Sequence, residues 1–375
     1  MPETSLPVAQ PRIAARQRLH FGVTTAIAIL AGVLVVVALL VYYGFDGVGA
    51  QIAAVGWQNI LLIAAIQAVV LAITGLAWWL LMRRPASTLP AVMGARLIRE
   101  AGSELLPFSA FGGYLMSARA LAVQHIWGPR AMASLIVDVT LEVATQILFA
   151  VVALALLAWY DLRSPIIGPV AVGLAVACAA VAATYAFQRR KIGFFERIGK
   201  PMAGNLFGRQ FGRGLGVQHH VNGIYEAPWR VQACFLLHFA CWIASAAEIW
   251  LMLQFMGQNI DFAPVLVIEG LSAAVCGAAF FVPNAIGIQE GAFVALGAVF
   301  GLDPESALAL SLLKRARDLA VGVPSLLLWQ GLEAHGLWRR LIAPFRAPAP
   351  SPMPAAAVRA TNRSRDRLFA TPDRF

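Results

Sequence analysis

Residues 231–253 read VQACFLLHFACWIASAAEIWLML. A run of this length can cross a hydrocarbon core of about 30 Å at about 1.5 Å per residue. It nevertheless carries Cys234, His238, Cys241, Ser245 and Glu248 at three- and four-residue intervals. That spacing puts them on one face of a helix. A helix with apolar flanks and one polar stripe suits a bundle in lipid: its flanks meet hydrocarbon and its stripe turns inward.

Working outward, similar runs recur. About eight crossings are expected, near 21–43, 58–82, 132–158, 166–187, 231–254, 264–282, 286–301 and 306–332. The seventh is short and Gly-rich, and either crosses or dips in and returns. The composition agrees, with 59% hydrophobic and only 13% charged residues, against about a quarter charged in soluble domains. The fold class is therefore an all-α polytopic membrane protein, and a soluble enzyme is excluded.

The net charge of +10 does not indicate nucleic acid, because the basic residues sit between and beyond the apolar runs. Arg12, Arg16 and Arg18 precede the first run, and Arg83 and Arg84 follow the second. A basic loop over 188–230 follows the fourth, and a basic Pro/Ala-rich tail over 336–375 follows the last. The opposite loops hold little beyond Asp46, Asp161 with Arg163, Asp261 and Asp303. Eight crossings put every basic segment on one side, which the positive-inside rule makes cytoplasmic. The expected organisation is a cytoplasmic segment over 1–20, a transmembrane domain over 21–335 and a disordered tail. Both termini are then cytoplasmic, in a bacterial inner membrane. Basic loops would also attract anionic phospholipid.

The last crossing carries Lys314, Arg315, Arg317 and Asp318. Four charges at mid-span cost about 12 kcal/mol, and a dozen apolar residues return only about 6 kcal/mol. The helix cannot face lipid all round. Ser311, Lys314 or Arg315, Asp318, Gly322 and Ser325 form its stripe, with Lys314 and Asp318 an i,i+4 pair. Asp138, Glu142 and Gln146 make a stripe on the third crossing, and Glu269, Ser272 and Cys276 one on the sixth. Striped helices suggest a shared polar cavity. Stripes can also be interhelical glue. The spacing Cys234-x3-His238-x2-Cys241 could present metal ligands, but thiols are common inside bundles, and neither a metal nor a cofactor is expected.

Two segments read as broken or re-entrant helices. Arg96 to Tyr114 contains Arg99, Glu104, Pro107, Gly112 and Gly113; Phe280 to Gly291 contains Pro283, Gly287 and Glu290. Pro removes a backbone donor and Gly permits the turn. Paired interruptions of this kind point to a transporter binding site and suggest a diverged internal repeat; plain structural kinks are the alternative.

These residues resemble the transmembrane region of lysylphosphatidylglycerol synthases, and within that group the membrane proteins associated with hopanoid biosynthesis. Pro283-Asn-Ala-Ile-Gly287-Ile-Gln-Glu290 is similar to the family's Pro-Gly-Gly-Ile-Gly-x-x-Glu element, and Lys314-Arg315 stands where the family places an Arg. Leu106-Pro107 to Gly112-Gly113 is similar to its Leu-Pro-x-x-x-Gly-Glu element, with Tyr114 near the position of the Glu. Asp138 and Glu142 fit an acidic pair of that family, although Val139 replaces its Arg. The resemblance implies lipid translocation between leaflets, without the aminoacyl transfer that belongs to a separate soluble domain. On this expectation Arg96, Arg99, Lys314, Arg315 and Arg317 hold an anionic or polyol head group. Glu104, Asp138, Glu142, Glu269, Glu290 and Asp318 balance that charge or bind a cationic one. Expected partners are membrane lipids, hopanoids among them, and lipid-biosynthesis enzymes. Two rivals remain: a scaffold that recruits such enzymes through the basic loop and tail, and an intramembrane head-group enzyme using Glu290 and His238.

Overall fold

The computed structural model describes residues 45–82, 85–105, 109–126, 128–161, 164–189, 216–279 and 282–342, with scattered positions between 30 and 42. Most of the first crossing, Arg12, Arg16, Arg18, Arg83, Arg84, Pro107, most of the basic loop and the tail from 343 lie outside the described residues. The chain forms two compact units, Met1–Gln330 and Gly331–Phe375. The second contains the end of the last helix, to Ile342.

Every regular element among the described residues is helical. In hydrocarbon a chain must satisfy its backbone internally, and a helix does so within one segment. The helices are α1 (Phe45–Met82), α2 (Leu89–Leu105), α3 (Ser109–Val123), α4 (Pro129–Tyr160), α5 (Ile167–Arg189), α6 (Val217–Tyr225), α7 (Pro228–Phe255), α8 (Phe262–Ala278), α9 (Ile288–Val299) and α10 (Pro304–Ile342). Four are long and apolar enough to cross a membrane: Asp46–Met82, Pro129–Tyr160, Ile167–Arg189 and Pro228–Phe255. Trp159 and Tyr160 stand exposed at the end of α4, and Trp229 at the start of α7, as amphipathic rings do at a membrane interface. The protein is an all-α polytopic membrane protein.

The expected breaks have different forms. The first is a helical hairpin, α2 ending at Leu105 and α3 starting at Ser109. At 17 and 15 residues the arms span about 26 and 23 Å, short of a full crossing. They close on glycine. A Cβ built at Gly113 would collide with the Arg99 carbonyl and with Ser103, and one at Gly102 would lie 2.9 Å from the Gly113 Cα. Gly113→Ala is therefore expected to destabilise the fold by about 3 kcal/mol, the upper end of ordinary overpacking. Gly168→Ala, in open space on α5, should be nearly neutral. Thermal unfolding in detergent checks both.

The second break follows α8 with a 3-10 turn, Pro283–Ala285, and then α9. Gly287 (φ 83°) makes the corner, a conformation cheap only for glycine. With 12 residues, α9 spans about 18 Å, so the expected seventh crossing does not traverse the core as a helix by itself. The 3-10 turn packs against both arms of the first hairpin.

Around the hairpins, α1 packs on α7 and α2, and α4 packs on α5, α6, α7 and α8. The main core gathers Phe149, Leu253, Val265, Phe293 and Leu310; a second cluster holds Leu81, Val137, Val221 and Cys234. A polar knot closes one end. Gln188 donates to Thr140 Oγ1 (2.7 Å) and accepts from the Tyr225 hydroxyl (2.6 Å), while its carbonyl accepts from Gln218 (2.6 Å). Burial pushes the Tyr225 phenol up, so it stays a donor. The knot ties α5 and α4 to α6, the short helix at the end of the basic loop.

Candidate functional site

On α2, Arg96 and Arg99 are three residues apart and share a face; on α4, Asp138 and Glu142 are four apart and do the same. The α2 face meets the α4 face. Arg96 grips Glu142 with two bonds, 2.6 and 3.1 Å, the fork geometry that suits guanidinium to carboxylate. Arg99 reaches Asp138 Oδ2 at 3.0 Å and also Glu142. Arg96 further meets Glu100 at 3.3 Å, and the Arg99 guanidinium lies 5.0 Å from the Tyr114 ring centroid. The other Asp138 oxygen lies 3.0 Å from His238 Nε2 and 3.8 Å from Cys234 Sγ on α7.

A second group joins α7, α8, α9 and α10. Lys314 Nζ donates to both Glu269 oxygens, 2.6 and 2.8 Å, and Ser245 donates to the same carboxylate. Arg317 bridges Glu248 (2.6 Å) and Asp318 (2.7 Å). Arg315 pairs with Glu290 and reaches the Asn284 carbonyl. Glu290 also accepts the Gly287 N–H at 2.7 Å, capping α9.

Between the two groups lies a cavity of about 410 Å³, within the usual range for ligand sites. The stripes on α4, α7, α8 and α10 do converge on it. Arg96, Glu104, Glu142, Glu269, Lys314, Arg317 and Asp318 line it, joined by Gln67 from α1 and by His238. Arg99, Asp138, Glu290 and Arg315 do not line it; they brace the residues and the break that do. Gly112 and Gly113 lie in α3 and Pro283 in the 3-10 turn.

One expectation changes, and one open alternative closes. Lys314 and Asp318 do not pair along α10: Lys314 turns to Glu269, and Asp318 takes Arg317. Buried charges choose the partner that best offsets desolvation, and Glu269 presents both oxygens. Nor do Cys234, His238 and Cys241 converge. Cys241 points at the Val70 carbonyl, and Asp138 takes its place beside Cys234 and His238. That group is a hydrogen-bonded cluster, since the Asp138 carboxylate is already held by the Arg99 cation.

Glu100 and Tyr114 belong to the site and were not expected in it; Glu248 was expected on the inward stripe but not among the binding residues. The i,i+4 spacing from Arg96 signals Glu100, and Glu248 closes the α7 stripe; only the fold of the hairpin brings Tyr114 over Arg99. Each cation of the expected set already holds a carboxylate, and carboxylates outnumber cations. The buried Ser272 hydroxyl lines the cavity with no hydrogen-bond partner among the described residues.

No match was found among curated proteins or among solved structures. The model of the lysylphosphatidylglycerol synthase TM region family matches residues 26–325, most of the chain, and the protein belongs to that family of membrane proteins related to lipid modification and transport.

Proposed function

We propose that the protein is a flippase or transporter that moves a polar or modified lipid across the bacterial inner membrane, with both termini in the cytoplasm. Hopanoid-related lipids are the first class to test. One observation carries this reading: the charged, half-enclosed cavity among α1, α2, α4, α7, α8 and α10, flanked by two short interrupted hairpins. Its volume suits a head group while the tails stay in lipid. Buried charges in a membrane bundle are costly and mark pathways by default, and interrupted helices at such a cavity expose backbone groups to a polar cargo.

The head-group enzyme reading gains less support. It needs Glu290 and His238 at one centre, and each is committed to a separate network, Glu290 to Gly287 and Arg315, His238 to Asp138. The scaffold reading rests on the basic loop and tail.

The test replaces a cavity ion pair with apolar residues of similar size. Such swaps are commonly neutral or stabilising for a fold. The double variant Lys314→Met/Glu269→Leu is therefore expected to unfold like the wild type while losing lipid movement in reconstituted vesicles by more than about tenfold, a free-energy change above about 1.4 kcal/mol. Native mass spectrometry should show a distinct lipid retained by the wild type and lost in the variant. Only bulk phospholipid, equal in both, would shift the weight to the scaffold.

A further inference from the structure

We propose that His238 is a proton-binding site of the cavity, and that lipid movement is coupled to the proton it carries. The inference rests on the transport reading above.

His238 is only 2% exposed, yet its ring forms part of the cavity wall. It therefore exchanges protons with cavity water and with little else. Its Nε2 faces Asp138 Oδ1, while Asp138 Oδ2 is held by Arg99. The carboxylate thus keeps one cation when the imidazole is neutral and gains a second when it is protonated.

The charges around it favour the protonated form. Arg96 and Arg99 stand against Glu100, Asp138 and Glu142, joined by ion pairs. With Glu100 ionised and a neutral imidazole the group is one negative charge in excess; a proton on His238 or on Glu100 balances it, and of the two only His238 is bonded to Asp138. An unbalanced buried charge is expensive in a low dielectric, and histidine is the side chain that can supply the missing charge near neutral pH.

Two acids on α2, Glu100 beside Arg96 and Glu104, also line the cavity and can take up a proton, so the protonation of the His238 ring is read directly below. From α7 itself, Cys234 points to the same Asp138 oxygen. From α3, Tyr114 covers Arg99. From α8, Glu269 is occupied by Lys314, and from α10, Arg317 and Asp318 pair with each other on the cavity wall. From α1, the cavity receives Gln67 and Thr74, which do not titrate, and α6 packs apolar residues near Cys234.

Coupling then follows from linkage: two conformations that differ in His238 protonation must respond to a proton gradient, and the lipid that selects between them must respond with it. The proton enters from water on one face and leaves to water on the other. No covalent bond to carbon or sulfur changes, and nothing is oxidised.

The full chain is reconstituted into vesicles of phosphatidylethanolamine and phosphatidylglycerol, with tail-labelled fluorescent phosphatidylglycerol as the probe and a pH difference imposed across the bilayer. One proton per lipid should shift the steady-state leaflet ratio of the probe by about tenfold per pH unit. In His238→Gln, whatever movement of the probe persists should give a ratio insensitive to the gradient; a ratio that still follows the gradient overturns the proton site. Wild-type movement with the same ratio at every gradient would overturn the proton site and leave the transport reading standing. Wild type that moves no probe would count against transport. The proton site is then read separately by nitrogen NMR of labelled histidine, in a chain whose His20, His125, His219, His220 and His335 are replaced so that one histidine remains. An imidazolium near neutral pH is expected; a neutral ring there overturns the inference. That chain keeps His238 and its partners, so the result does not depend on whether His238→Gln folds.

Discussion

Replacing Glu290 by alanine is expected to destabilise the protein by about 3–5 kcal/mol, the cost of stripping one partner from a buried pair. The carboxylate is fully buried and has two duties. One oxygen accepts the Gly287 N–H, an orphan donor at the start of α9, and the other meets Arg315. Alanine leaves both unmet, next to a turn already held at positive φ by Asn284, Ala285 and Gly287. Glu290→Gln should cost less, because an amide oxygen can still cap the helix, although the Arg315 charge is then uncompensated. Adding Arg315→Met to Glu290→Ala should recover part of the loss. Thermal unfolding in detergent ranks the three; equal stability of Glu290→Ala and wild type would remove Glu290 from the architecture of the break. Loss of transport in Glu290→Ala reports first on assembly, because this side chain braces the break and does not line the cavity.

The second large effect is expected at Arg317. Its guanidinium is buried between Glu248 and Asp318, and Glu248 already has one oxygen without a hydrogen-bond partner among the described residues. Arg317→Met removes the only cation among the described residues that bonds Glu248 and is expected to cost about 3–5 kcal/mol. In the double variant Arg317→Met/Glu248→Leu the stranded carboxylate is gone and most of that stability should return. The strong non-additivity is the signature of directly interacting groups. A double variant as unstable as Arg317→Met alone would show that packing, not charge, sets the effect.

The stripes made the cavity legible. Asp138, Glu142, His238, Ser245, Glu269 and Asp318 each announce a face because a helix repeats every 3.6 residues, and costly charges must turn inward. What spacing does not encode is which inward-facing charge meets which. Lys314 had a neighbour of opposite sign one turn away and chose Glu269 on another helix. Cys241 shared a face with His238 and was rotated onto the Val70 carbonyl. The first break was visible as Pro and Gly, but its closure into a hairpin depends on Gly102 meeting Gly113, a contact that no local pattern reveals. The brevity of α9 was readable from its glycines. Its cap was not, since Glu290 reads equally well as a free acid.

The complete pairing of the cavity cations also bears on speed. On the transport reading, an arriving anionic head group finds no idle cation among the described residues of the cavity; it must trade places with a carboxylate already bonded to Arg96, Lys314 or Arg317. What it gains is the difference between two similar interactions, so its residence is brief. A carrier needs that, because a cargo held too tightly on one side is not surrendered on the other. The same ion pairs that steady the empty bundle thereby keep the landing place shallow, and turnover would be governed by the reshuffling of partners instead of by capture.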